Sequence, residues 1–167
     1  MSVDPRSWHI GLVGYGEVGR ILAEDLRAQG CTVNACDRKL DAADTAPALR
    51  AHALALGVAL ADDPADLARD ADVIVSAVTA SQAVAVAQAC AAGLKPGAFF
   101  LDVNSASPGA KQRAAAAIHA AGGRYVEGAV MTSVPPYRIR VPLLLGGPWA
   151  GELRPLLAAL GFAPRVA

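Results

Sequence analysis

Residues 8–19 read Trp8-His9-Ile10-Gly11-Leu12-Val13-Gly14-Tyr15-Gly16-Glu17-Val18-Gly19, an apolar strand running straight into GxGxxG. In that order the three glycines have separate duties. Gly14 permits a tight turn, Gly16 lets a ligand approach the backbone, and Gly19 lets the next helix pack closely on the strand. The helix N-terminus then presents free N–H groups and a partial positive charge, which suits a pyrophosphate.

The neighbouring sequence supplies the rest of the unit. Val18, Leu22 and Leu26 recur every four residues, Ile21 widens the stripe, and Arg20, Glu24, Asp25 and Arg27 fall between them. Gly30 ends that helix, and Thr32–Cys36 forms a second strand that closes on Asp37. Asp37 lies 23 positions after Gly14, where a carboxylate accepts hydrogen bonds from adenosine ribose hydroxyls. Dinucleotide binding is the reading these features share. Glu17 suits the helix dipole but repels phosphate, so its side chain is expected to face solvent. A methyltransferase with a similar turn is the competitor; against it, Leu12 and Val13 rather than an acid precede Gly14.

At 167 residues the chain is long enough for one domain, 1–167, with a proper core. Its 54% hydrophobic content and positive mean hydropathy fit a sheet buried on both faces. Fifteen basic residues balance fifteen acidic ones with no basic run, so nothing invites nucleic acid or an anionic membrane. Every apolar run is too short or too interrupted to span a bilayer, and no signal peptide is evident. A soluble, cytoplasmic protein is expected. The three cysteines match neither a redox nor a zinc spacing, and His9, His52 and His119 fall on separate elements, so no metal is expected.

Further along, helical and strand patterns alternate. Strands are predicted at 58–60, 73–78, 98–103, 124–130 and 141–145, the last at a sheet edge because of Pro142. Helices are predicted at 48–56, 80–92, 108–121 and 149–160, with a helical loop from Asp63-Pro64 to Arg69. The pattern indicates an α/β fold, a doubly wound, mostly parallel sheet of Rossmann type in three α/β/α layers. Ligands then bind beyond the carboxyl ends of the strands, which selects residues 14–19, 37–39, 76–81, 102–108 and 131–140.

The Gly14–Gly19 turn, the segment Asp102-Val103-Asn104-Ser105-Ala106-Ser107-Pro108 and the Gly-Gly after Leu143-Leu144-Leu145 together resemble the β-hydroxyacid dehydrogenase family, in its 6-phosphogluconate dehydrogenase-like branch. The likeness covers nearly the whole chain. It implies that this is the NAD(P)-binding domain of an oxidoreductase that moves hydride between a nicotinamide cofactor and a small hydroxy acid or keto acid. It also implies a helical C-terminal domain, absent from these 167 residues, through which such proteins form homodimers. Gly14, Tyr15, Gly16, Glu17, Val18, Gly19, Asp37, Arg38, Val78, Thr79 and Asn104 are then expected at the cofactor. Asn104 and Ser105 stand where the family has Ser-Thr and would position substrate; a helix N-cap cluster before Pro108 is the other reading. Thr132 and Ser133 align beside the family's substrate-carboxylate serine, which Met131 replaces. The family's proton-transferring lysine has no counterpart in Lys39, Lys95 or Lys111.

Two other functions stay open at this point: a freestanding nucleotide-binding module without turnover, and an imine reductase half. Between the cofactors, Asp37 favours NAD by accepting from free ribose hydroxyls, while Arg38 and Lys39 would pair with the 2′-phosphate of NADP. NAD is slightly favoured. Tyr137, Arg138 and Arg140 are candidates to meet an anion.

Overall fold

The computed structural model describes residues 4–167. Eight strands form one sheet: β1 (His9–Val13), β2 (Thr32–Cys36), β3 (Ala59–Leu60), β4 (Val73–Ser76), β5 (Phe99–Asp102), β6 (Arg124–Val130), β7 (Pro142–Gly146) and β8 (Ala163–Val166). Their spatial order is β3-β2-β1-β4-β5-β6-β7-β8. The first six run parallel, β7 is antiparallel to β6, and β8 is parallel to β7. Seven α-helices connect them: α1 (Glu17–Ala28), α2 (Ala46–Leu56), α3 (Pro64–Ala68), α4 (Ala83–Ala91), α5 (Pro108–Ala120), α6 (Val134–Tyr137) and α7 (Ala150–Ala159). This is the doubly wound, mostly parallel α/β fold expected.

Burial on both faces explains why the strands read as unbroken apolar runs. Ile10, Leu12, Val73, Val75, Phe99 and Leu101 pack with Leu22 and Leu26 of α1, Leu49 of α2, and Leu153 and Leu157 of α7. The intervening residues Val13, Ile74 and Phe100 point the other way, against Leu67 of α3, Ala87 and Cys90 of α4, and Ile118 of α5. All three cysteines are buried and unbridged.

The chain winds outward from β1 to β3, then crosses to the far side of β1 to form β4. The loops after β1 and β4 therefore diverge and leave a crevice between them, the switch point at which open α/β sheets take ligands.

The carboxyl-terminal end of the fold differs from the expectation at one point. Pro142 does not mark a sheet edge, because β8 pairs along β7 from Pro142↔Ala163 to Leu145↔Val166. Pro142 opens its strand, a position that tolerates a missing N–H, and its carbonyl accepts from Met131 N at 3.0 Å. The added strand, Ala163-Pro164-Arg165-Val166, has neither an apolar run nor clean alternation, so it gave no sequence signal. Among the described residues no helix is long and apolar enough to cross a membrane.

Candidate functional site

The turn after β1 is shaped by steric limits at two glycines. Gly14 has φ +100°, and a Cβ there would stand 2.1 Å from the carbonyl oxygen of Ala77. A Cβ on Gly19 would stand 2.1 Å from the carbonyl oxygen of Gly14, so α1 rests directly on the turn. Gly16 differs from both: apart from its own residue and chain neighbours, no protein atom lies within 4 Å of its missing Cβ. The space before its backbone is open. Gly16 caps α1 without a side chain, and the first bond of the ladder is Arg20 N–H to the Gly16 carbonyl at 2.9 Å. The N–H groups of Glu17, Val18 and Gly19 precede that bond, as the first donors of any helix do.

A cleft of about 510 Å³ opens in front of this turn. Six of the predicted cofactor residues line it: Gly14, Gly16, Asp37, Arg38, Val78 and Thr79. Sequence reasoning missed two further walls. Asp62, Asp63 and Pro64 follow β3, and Gln82, Ala85, Val86 and Ala89 come from the start and body of α4. The rule that loops at strand carboxyl ends line the site would have found the first wall, had the two-residue β3 drawn more weight. Cys36 also faces the cleft, but burial pushes its thiol up to about 12, so it stays protonated at neutral pH.

Asp37 is held in place by the backbone. Its Oδ2 accepts from Tyr15 N at 2.7 Å and its Oδ1 from Lys39 N at 2.8 Å. A carboxylate has about four acceptor positions, so two remain for hydroxyl donors.

The other predicted cofactor residues lie around the cleft rather than in its wall. Glu17 is exposed, as its charge required, while Val18 is half-buried and Gly19 fully buried. The side chain of Tyr15 turns beneath the loop and is completely buried, with its hydroxyl 2.6 Å from His52 Nδ1. Burial pushes that phenol up to about 12, with the Glu24 charge adding to the effect. The phenol therefore keeps its proton at neutral pH, and it shares one hydrogen bond with Nδ1. The proton on His52 Nε2 is donated to Glu24 Oε2 at 2.8 Å. The hydrogen bond from His52, then that from Arg138, holds the Glu24 carboxyl below its ordinary range.

Asn104 is 4% exposed and commits its amide to the fold. Its Oδ1 accepts from Val78 N at 2.6 Å and its Nδ2 donates to Ser76 Oγ at 3.0 Å. The Asn104 N–H donates to Oδ1 of buried Asp102, whose Oδ2 accepts from the Tyr125 hydroxyl at 2.7 Å. Desolvation and then the Asp102 bond raise the Tyr125 phenol well above its usual range. Asn104 thus fixes the height of the Val78–Thr79 backbone. Ser105 next to it is exposed, and Ser107 caps α5 by accepting from Ala110 N at 3.1 Å.

Thr132 and Ser133 are exposed on the segment between β6 and β7, together with Met131 and Tyr137. Arg138 is not a free cation there. Its Nη2 donates to Glu24 Oε1 at 2.6 Å and its Nε to Asp25 Oδ1 at 3.1 Å.

A crevice at the crossover of a parallel sheet, a glycine turn under a bare helix N-terminus and a carboxylate at the end of the second strand define a dinucleotide-binding Rossmann domain. Over residues 9–148 the sequence matches the family described as the NAD binding domain of 6-phosphogluconate dehydrogenase, and the chain belongs to that family. No curated protein matches it. Among solved structures it is similar to a conserved hypothetical protein from Sinorhizobium meliloti 1021, with 38% identity and a TM-score of 0.90, over 96% of this chain and 54% of that one. It shares its fold with 3-hydroxyisobutyrate dehydrogenase from Mycobacterium tuberculosis (21% identity, TM-score 0.80, covering 96% and 55%). The fold also matches an imine reductase from Myxococcus stipitatus in complex with NADP+ (20% identity, TM-score 0.75, covering 95% and 54%). The chain spans little more than half the length of each.

Proposed function

We propose that these residues are the cofactor half of an oxidoreductase that acts on a small hydroxy acid, keto acid or imine. The observation that carries this reading is the open space before Gly16, beneath the unpaired amides of α1 and facing the cleft. When bound, a nicotinamide cofactor supplies the hydride chemistry. This chain's contribution is to hold the diphosphate on the α1 amides, seat the adenosine ribose on Asp37 and support the other end on the Val78–Thr79 backbone that Asn104 fixes. Ser105, Thr132 and Ser133 remain the hydroxyls proposed to meet substrate. A helical second domain, of the kind the resemblance implies, would close the site and carry the dimer contact.

The substrate side is less acidic in its demands than the family pattern. Met131 stands exposed where the carboxylate-binding serine belongs, and Arg138 is engaged elsewhere. That arrangement favours a substrate with more apolar surface and keeps the imine reading open.

For the cofactor, the adenosine end of the cleft is lined by Asp37, Asp41, Asp62 and Asp63 against Arg38 and Lys39. Four carboxylates against two cations support NAD over NADP, whose additional phosphate would enter a net negative field. Calorimetric titration with both cofactors tests this. Asp37→Ala should weaken both cofactors, because Tyr15 N and Lys39 N lose their acceptor, and should weaken NAD about tenfold more than NADP, since only NAD loses the partner of its free ribose 2′-hydroxyl as well. Equal losses for both cofactors would remove Asp37 from the ribose, and no heat with either would end the nucleotide reading.

A further inference from the structure

Arg138 is the only non-glycine with positive φ among the described residues, at +57°. Such backbone persists where surrounding contacts enforce it. Its own backbone bonds stay within the segment, Arg138 N–H to Val134 O and Val141 N–H to Arg138 O, while its side-chain bonds are all with α1. Besides its two ion pairs, the next residue contributes Ile139 N–H, which donates to Asp25 Oδ2 at 3.1 Å. The same segment rests on α1 through Val134 and Val141, which pack with Ile21 and half-buried Val18. The far side of the ion pair continues inward. Glu24 takes Arg138 on one oxygen and His52 on the other, and His52 takes the Tyr15 hydroxyl. Tyr15 in turn donates its backbone N–H to Asp37. An unbroken chain of hydrogen bonds therefore joins the carboxylate at the adenosine end of the cleft to the backbone between β6 and β7.

We propose that Arg138 is a positioning residue: it latches the segment carrying Thr132 and Ser133 to α1 and makes that segment respond to the state of the Gly14–Gly19 turn. The proposal deepens the nucleotide reading of the cleft and rests on it for its functional sense. A ligand that seats on Asp37 and the α1 amides fixes Tyr15, and Tyr15 fixes His52 and Glu24. The guanidinium then has two acceptors in register, and the substrate-side segment is held. The guanidinium fork and its two carboxylates are the physical element on which that coupling acts.

Hydrogen exchange on the whole chain tests it, with Arg138→Gly as the main variant because glycine accepts φ +57° and removes only the fork. Glu24→Gln is the second, and Arg69→Gln, from an exposed pair with Asp66, is the control. Without any dinucleotide, Arg138→Gly should speed exchange about fivefold across residues 131–140 and about twofold across 14–19, leaving β4 and β5 unchanged. Glu24→Gln should act in the same direction, and Arg69→Gln should change neither segment. In the wild-type chain, saturating NAD should slow both segments; in Arg138→Gly it should slow 14–19 alone. If both variants loosen only 131–140, Arg138 is a local pin and the inference is overturned. It is equally overturned if NAD binds the wild-type chain and protects 14–19 without 131–140. If the cross-effect is present but NAD does not bind, the latch stands and the nucleotide reading falls.

Discussion

Two glycines of the turn are compelled by the protein and the third is not, so substitution should separate the fold from the proposed nucleotide site. Gly14→Ala places a Cβ 2.1 Å from Ala77 O at φ +100°, and Gly19→Ala places one 2.1 Å from Gly14 O. Each should cost about 3 kcal/mol or more of stability, since the clashing atoms are backbone and cannot yield cheaply. Gly16 has an ordinary extended backbone and empty space in front of it. Gly16→Ala should therefore leave the unfolding free energy from urea denaturation within about 0.5 kcal/mol of wild type while weakening NAD binding about tenfold or more. Unchanged binding would place the diphosphate elsewhere. Gly14 and Gly19 were legible in the sequence because the spacing of the motif is local, although the atom that Gly14 makes room for, Ala77 O, lies on the distant loop after β4. Tyr15 was not. Its position in the motif suggested the cofactor, yet its side chain serves His52 from underneath, a partner 37 positions away that no periodicity announces.

At the scale of elements, the strands whose apolar runs are buried on both faces were the easiest to read, and β2 and β6 have the bounds their sequences implied. The edges of the architecture were harder. β8 owes its existence to pairing with β7 rather than to its own composition, and α6 is a four-residue turn held by Val134 packing on α1. Loops can be joined in ways equally hidden from sequence. Asn104 ties the turn after β5 to the turn after β4 by satisfying Val78 N, which is part-buried, and Ser76 Oγ, which is buried. Asn104→Ala strands those groups, and leaving buried polar partners unpaired should cost about 1–3 kcal/mol. Amide exchange at Val78 should rise more than the global loss of stability explains, because the bond removed is its own. A global change alone would show that Asn104 merely fills space.

For the molecule as a whole, the placement of charge decides what these residues can do unaided. Reducing a carbonyl requires a proton at the substrate oxygen as well as a hydride, and the group that supplies it must reach the site. Each lysine of the chain is accounted for elsewhere. Lys95 pairs with Asp72 at 2.6 Å, and Asp72 also accepts from His9 N at the amino end of β1, the opposite edge of the sheet from the cleft. Lys111 is largely buried and lies 3.3 Å from Glu127 beneath α5. Lys39 lines the cleft beside Asp37 and Arg38. The 167-residue polypeptide should accordingly bind NAD yet leave reduced cofactor unoxidised in the presence of small keto acids or cyclic imines, followed at the absorbance of the reduced ring. Saturable oxidation by this polypeptide alone would require a proton donor within it, and Lys111 with its Glu127 partner would be the first pair to substitute. Binding without turnover here, together with turnover in a polypeptide of the relatives' length, would place the donor on the residues that the longer polypeptide adds and leave positioning as the work of this one.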